Sequence, residues 1–364
     1  LGLHRLGHEV LFLEESDDYP SCYDPTTHQV GTDPTYGLSF AKRAFSELGI
    51  GSGWAYYDAH QKRWRGPAAE MVDEFCGDAD ALIDVSGVNR VLPVLQHIPI
   101  RILIDTDPAF TQIRHLTNEA ARSRASQHNV FFSFGEAIET GESTVPDDGF
   151  HWHATRQPVV LDVWPRSDGP NRGAFTTVMQ WESYLPVEFD GRRFGMKSES
   201  FNMVRDVPSR TAAPLEIALG GTSAPRHQLV RLGWRVVDPL SVTRDPWTYQ
   251  MYLQQSRGEF SIAKHGYVVT RSGWFSERTA CYLATGRPVI IQDTGFSQFI
   301  PCGEGIFAFD DAESALASIY RAEGQYQKHC GAARELAEAY FGSDKVLDSL
   351  LARAISAVRS SSRA

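Results

Sequence analysis

The stretch Arg271-Ser-Gly-Trp-Phe-Ser-Glu-Arg-Thr-Ala-Cys-Tyr-Leu-Ala-Thr-Gly-Arg-Pro-Val-Ile-Ile-Gln-Asp-Thr-Gly295 reads as a glycine loop, a helix, a helix stop, a buried strand and a second glycine turn. Ser276 is a good N-cap for a helix that begins beside it. Gly286 stops that helix, since the left-handed residue that closes a helix is most easily a glycine. From Pro288 the run Val-Ile-Ile is apolar at every position, the pattern of a parallel strand covered on both faces. The free N–H groups at the helix start, together with its dipole, favour an anion such as a diphosphate. By spacing alone, the same residues serve equally as a helix cap and a turn back into the sheet.

On both sides of this stretch short apolar runs alternate with helix-length amphipathic ones, which predicts parallel sheets in α/β domains. Strand-type runs lie at 175–181, 215–220, 234–238 and 259–263, and helical spacing follows at 312–326, 332–340 and 344–358. Upstream, a helix over 1–6 ends at Gly7, a strand is expected over 9–13, and further strands over 80–86, 101–105 and 129–134. Between 149 and 172 the composition shifts to Trp152, Pro158, Trp164, Pro165 and the turn-forming cluster 168–173, which marks a linker. The expected division is an N-terminal Rossmann-like domain over 1–165, a C-terminal Rossmann-like domain over 166–342, and a closing helix and tail over 343–364. Because Leu1 falls inside a helix, a first strand and its glycine turn are expected to precede it, so that the N-terminal domain lacks its first strand here. The long 17–54 stretch, with Tyr19, Tyr23, Tyr36 and Phe40, reads either as an acceptor-facing lobe or as ordinary packing.

Length and composition agree with two domains: the chain has 364 residues, against roughly 100–200 per domain. With 42% hydrophobic and 22% charged residues it has the make-up of a globular protein. Thirty-five Lys and Arg against 45 Asp and Glu leave a net charge of -10, which argues against nucleic acid as a partner but leaves room for a local basic pocket. The five cysteines have no Cys-x-x-Cys pair, so reduced thiols in a cytoplasmic protein are expected. No apolar run approaches the roughly 20 residues of a membrane helix, and no signal peptide is read at the start.

The turn Gly286-Arg-Pro-Val-Ile, the loop Thr294-Gly-Phe-Ser-Gln-Phe-Ile-Pro-Cys-Gly-Glu-Gly305, and Ile306-Phe-Ala-Phe-Asp-Asp before a helix from Glu313 come in a telling order. This order resembles the C-terminal half of GT-B glycosyltransferases. The opening Leu3-His-Arg-Leu-Gly-His-Glu-Val-Leu-Phe-Leu-Glu resembles their N-terminal helix and second strand. With the Ser-Gly-Trp-Phe-Ser-Glu-Arg stretch, the chain looks closest to bacterial family-1-like and family-4-like enzymes related to spore-maturation proteins. The resemblance implies two Rossmann-like domains facing a cleft and a nucleotide-diphosphate sugar as donor, with no separate cofactor. It also implies transfer of the sugar to an acceptor that the residues do not identify. One departure stands out: many retaining members carry two glutamates at places held here by Gly273 and Cys281. Glu277, a turn before Cys281, is the carboxylate left to accept from ribose hydroxyls, or else a first-turn acid favoured by the helix dipole.

The candidate donor-site residues are Gly221, Thr222, Lys264, Arg271, Ser272, Gly273, Trp274, Phe275, Ser276, Glu277, Arg278, Asp293, Thr294 and Gly295. Lys264 and Arg278 are the preferred cations for a departing diphosphate, with His265 and Arg271 nearby; solvated surface charge is the plain alternative. Gly220-Gly-Thr222 ends a strand at the edge where ligands of open α/β sheets collect, or makes a tight turn. Asp105 and Asp107 follow another strand and are candidate general bases toward an acceptor hydroxyl, or caps of the next helix. His151 and His153 flank the linker, Arg192 and Arg193 lie in a polar loop without an assigned role, and no metal site is expected. Two rivals share the architecture: a non-catalytic binder of nucleotide or glycan, and a sugar-nucleotide epimerase.

Overall fold

The computed structural model describes residues 1–17, 19–167, 169–170 and 173–361. Part of the turn-forming cluster 168–173 therefore lies outside the described residues. The chain divides into two compact units, the first made of Leu1–Thr106, His115–Phe132 and the chain from Leu347, the second of Asp107–Arg114 and Ser133–Val346.

In the first unit the helix Gly2–Arg5 runs into Gly7, whose φ of +89° turns the chain toward the strand Phe12–Glu15. That strand begins later than expected because its ladder starts where the partner does: Phe12 lies opposite Trp54, and Glu15 opposite Tyr57, in the parallel strand Trp54–Asp58. An antiparallel strand, Arg63–Arg65, completes this sheet. A second sheet sets Ala81–Val85, Ile100–Asp105 and Val130–Ser133 side by side, the first two in parallel register. Val72, Cys76, Leu95 and Ile98 close the core between them. The aromatic 17–54 stretch is no open connection: it forms a hairpin, Cys22–Asp24 with Gln29–Gly31, and the helix Thr35–Glu47.

The second unit is built on a six-stranded, all-parallel sheet in the spatial order Arg235–Val237, Leu215–Gly220, Phe175–Gln180, Gly258–Ser261, Val289–Gln292, Ile306–Phe309. In chain order these are strands 3-2-1-4-5-6, the doubly wound Rossmann arrangement. Both sheet faces are covered, which explains the unbroken apolar runs. Ile290 and Phe307 face one core with Phe201, Trp234 and Ile319, while Val289, Ile291 and Ile306 face another with Leu283, Ala333 and Phe341. Alternate residues thus serve opposite layers, as the two-residue repeat of a strand requires.

The expected boundary near residue 165 differs from the structure's division. Several backbone groups of 133–165 find partners elsewhere in the second unit: Ala137 N–H donates to Ser272 O (3.1 Å), Thr144 N–H to Thr270 O (2.8 Å) and Val159 N–H to Phe341 O (2.7 Å). Buried amides need such partners, so they assign the segment more firmly than its composition does. For a similar reason 107–114 belongs here, because Phe110 and Ile113 pack with Phe194, Met196 and Tyr267. The helix Ser343–Ser361 is not a separate tail, since from Leu347 it counts with the first unit, where the Arg353 guanidinium lies over the Phe132 ring.

Candidate functional site

In a 3-2-1-4-5-6 sheet the strands leave in opposite directions from strands 1 and 4, which opens a crevice at their carboxyl ends. Here that place lies beyond Gln180 and Ser261. Three pieces of chain converge on it: the loop before the helix Glu277–Ala284, the segment 262–265, and the turn 195–198.

The loop is held rigidly. Ser276 caps the helix, its hydroxyl accepting from Arg278 N–H at 3.3 Å. Gly273 has φ +77°, and a Cβ there would lie 2.7 Å from the Ala137 nitrogen, so only glycine fits without strain. Gly273 N–H donates to Thr294 O (2.8 Å), and the Thr294 hydroxyl donates to Trp274 O (2.6 Å), which ties the two glycine loops together. Asp293 accepts from Gly295 N–H (2.8 Å) and from the Ser297 hydroxyl (2.6 Å), capping the short turn Phe296–Gln298. Ser272 is fully buried, and Phe275 packs against Phe296 and stacks on Phe341. These residues therefore build the loop, whereas Glu277 and Arg271 are exposed along it. A small cleft, partly open to solvent, lies between Ser261, Ala263, Ser276, Arg278, Ile291 and Gln292.

The two preferred cations turn out to have internal partners. Arg278 is buried: its Nε donates to Glu259 Oε1 (2.6 Å), Nη1 to Val178 O (2.8 Å) and Nη2 to the Ser261 hydroxyl (2.6 Å). It bolts the helix start to strands 1 and 4. Glu259 is fully buried, and among the described residues its Oε2 has no hydrogen-bond partner. Lys264 is partly buried; its Nζ donates to Asp107 Oδ1 (2.7 Å) and to the Tyr184 hydroxyl (2.8 Å), over the faces of Tyr184, Phe110 and Tyr267. Asp107 also accepts from the Tyr184 and Tyr267 hydroxyls, so its oxygens are engaged rather than poised as a base. Asp105, in the first unit, is 1% exposed, which keeps an acceptor hydroxyl from it. The two aspartates read together as one edge thus go to different units.

The residue that sequence reasoning missed is Lys197. Its turn lies between the two strand ends, because Ser198 N–H donates to Trp181 O (3.2 Å) while His265 and Gly266 N–H donate to Met196 O (3.4 Å) and Gly195 O (3.1 Å). Lys197 is partly buried, and among the described residues its ammonium has no hydrogen bond or ion pair. Burial first, then Arg278 and, after the opposing pull of Glu277, Lys264 push its pKa down to about 7, with Glu259 again opposing. The signal was present but weak: the hairpin Val187–Phe189 with Arg192–Phe194 ends at Gly195, and the first cation after it is Lys197.

The remaining candidates stand at the edges. Gly221, with φ +100°, and exposed Thr222 follow strand 2, and the Arg226 guanidinium secures their loop through Gly221 O (2.7 Å) and Leu219 O (2.8 Å). Arg192 bonds to Thr144 and Val269 O, and Arg193 pairs with Glu199 and Glu188, so both hold the hairpin. His153 lies 3.2 Å from Glu139 and edge-on to His151.

No family model matches the chain, and no curated protein is similar to it in sequence. Solved structures are. Anabaena HepE, determined in complex with UDP and glucose, superposes with a TM-score of 0.55 at 12% identity, covering 95% of this chain and 99% of that one. The same protein in complex with UDP gives a TM-score of 0.51 at 12% identity over 96% and 100% of the two chains. TarM, with a TM-score of 0.49 and 12% identity, is covered over 60% of its length by 81% of this chain. Both units lie within the HepE superposition, and the chain has the GT-B fold.

Proposed function

We propose that the protein is a glycosyltransferase that holds a nucleotide-diphosphate sugar in its second unit, at the switch point of the six-stranded sheet. The observation that carries this reading is the convergence there of an uncommitted ammonium, Lys197, with the capped start of the helix Glu277–Ala284. A diphosphate would accept from Lys197 and from the loop and helix N–H groups, and Glu277 would accept from a ribose hydroxyl. As the glycosidic bond to the donor breaks, charge builds on the departing diphosphate, and fixed donors aimed at it lower the barrier. Arg278 and Lys264 serve by position: the first fixes the helix start, the second fixes Asp107 and the Tyr184 loop. HepE, with the same fold, was determined with UDP and glucose, which supports the donor class.

A non-catalytic binder is the second reading, and Cys281 favours it. Where many retaining enzymes place a glutamate, this thiol lies in the helix, and its pKa is pushed well above the ordinary thiol value by burial and then by Glu277 and Glu259. Turnover separates the two. Release of nucleotide from UDP-, dTDP- or GDP-sugar only with an acceptor present supports transfer, and binding without release supports the binder. Absence of saturable binding to all of these sugars rejects both.

A further inference from the structure

We propose that the loop 182–186 is a latch across the donor crevice, bolted by Tyr184, which opens for a nucleotide sugar to enter and closes again behind it; this rests on the donor-site reading above. The loop leaves the end of strand 1 and is attached to two of the three pieces of chain that line the site. Glu182 accepts from the Ser198 hydroxyl (3.1 Å), in the turn 195–198, and from the Ser223 hydroxyl (3.3 Å). Two residues on, the Tyr184 hydroxyl accepts from Lys264 Nζ (2.8 Å), just beyond strand 4, and donates to Asp107 Oδ2 (2.5 Å). The chain between these two holds therefore runs from the exit of strand 1 to the exit of strand 4, between which the crevice opens. Every group in the latch belongs to the second unit.

The loop is fastened by side chains. Its ends are fixed, at Trp181 by the N–H on Gly220 O (3.0 Å) and at Val187 by the ladder with Phe194. Between them, among the described residues, the backbone of Glu182, Ser183 and Leu185 makes no hydrogen bond to other backbone, and Leu185 is 83% exposed. Opening thus breaks the contacts of Glu182 and Tyr184 but no secondary structure, as in local openings that need only part of the global stability. The bolt itself is strong, because one hydroxyl meets a carboxylate and an ammonium together, and such charge-assisted bonds are about twice as strong as neutral ones. The Tyr184 ring lies 4.4 Å from the Lys264 ammonium and edge-on to Phe110 (5.2 Å). When Tyr184 leaves, Lys264 stays paired with Asp107 (2.7 Å), and Asp107 still accepts from the Tyr267 hydroxyl, so neither charge is stranded.

The test is stopped-flow binding of UDP-glucose, GDP-mannose and ADP-glucose to the whole chain, followed by tryptophan fluorescence, since Trp181 adjoins the loop and Trp274 lies 4.6 Å from the Tyr267 ring. In the wild type the observed rate should level off at high donor concentration, at the rate of opening. Tyr184→Phe keeps the ring and loses the bolt, which is made both before and after entry. It should raise the plateau and the dissociation rate alike by about tenfold, the scale of one hydrogen bond to a charged group, with affinity unchanged. Leu185→Ser, in the same loop but without a hold, should behave as the wild type. A wild-type rate that rises linearly throughout, or a Tyr184→Phe plateau equal to that of the wild type, overturns the latch and leaves the donor site standing. Weaker affinity of Tyr184→Phe at an unchanged plateau, or equal acceleration by Leu185→Ser, also overturns it. No binding of any of the three sugars overturns both readings. Should Tyr184→Phe fail to fold by circular dichroism, Glu182→Gln, which weakens the other hold, is expected to raise both rates, and unchanged rates there overturn the latch.

Discussion

Arg278 and Glu259 form a buried pair, and loss of the guanidinium leaves the Glu259 carboxylate in a place that water does not reach. Arg278→Met should therefore destabilise the second unit by about 3–5 kcal/mol, and pairing it with Glu259→Leu should recover much of that loss. Urea unfolding checks it, and equal losses in the single and double variants would show that the pair does not matter. Lys197 has the opposite character. Its folded pKa of about 7 lies below the ordinary 10.5, so between these values the unfolded chain binds the extra proton and stability from this group rises with pH. The penalty is complete below about pH 7. Lys197→Met should thus raise the melting temperature of the free protein at pH 6 and lose that advantage toward pH 10; an advantage independent of pH would mean the ammonium is not strained.

Elements show how much was legible locally. The loop, helix, stop and strand of 271–295 appear in the structure much as their residues suggest, with Ser276 as cap and Gly286 at φ +76° after the last turn. Each of these signals works within a few residues, through a hydroxyl reaching one N–H or a backbone angle that a side chain disfavours. Ser276→Ala should cost about 1 kcal/mol of stability. Gly273→Ala should cost more, since it combines a positive φ with a Cβ too close to the Ala137 nitrogen. Both should weaken nucleotide-sugar binding through the loop, measured by calorimetry beside thermal melts; Gly273→Ala at wild-type stability and affinity would refute the close approach. The hairpin over 187–194 reads as a polar loop in the sequence because its strands are three residues each, too short a run for alternation to show.

At the scale of the whole molecule, the donor site is expected to belong to the second unit. Ile102→Ala, in the first unit's fully buried core, should destabilise that unit by about 2–5 kcal/mol while leaving nucleotide-sugar affinity of the folded protein unchanged. A matching loss of affinity in calorimetry well below the melting temperature would place part of the donor site elsewhere. The α/β class, the strands of the sheet, the glycine loops and the helix start that favours an anion are legible in the residues, because they depend on short-range periodicity and backbone preference. The 3-2-1-4-5-6 order, the transfer of 107–114 and 133–165 to the second unit, and which cations are already paired emerge only on folding. A guanidinium or ammonium has the same identity in the chain whether it meets a carboxylate or solvent. Glu259 stands 19 positions from Arg278, and Asp107 stands 157 from Lys264, so only folding reveals that these two are committed and that Lys197 is not.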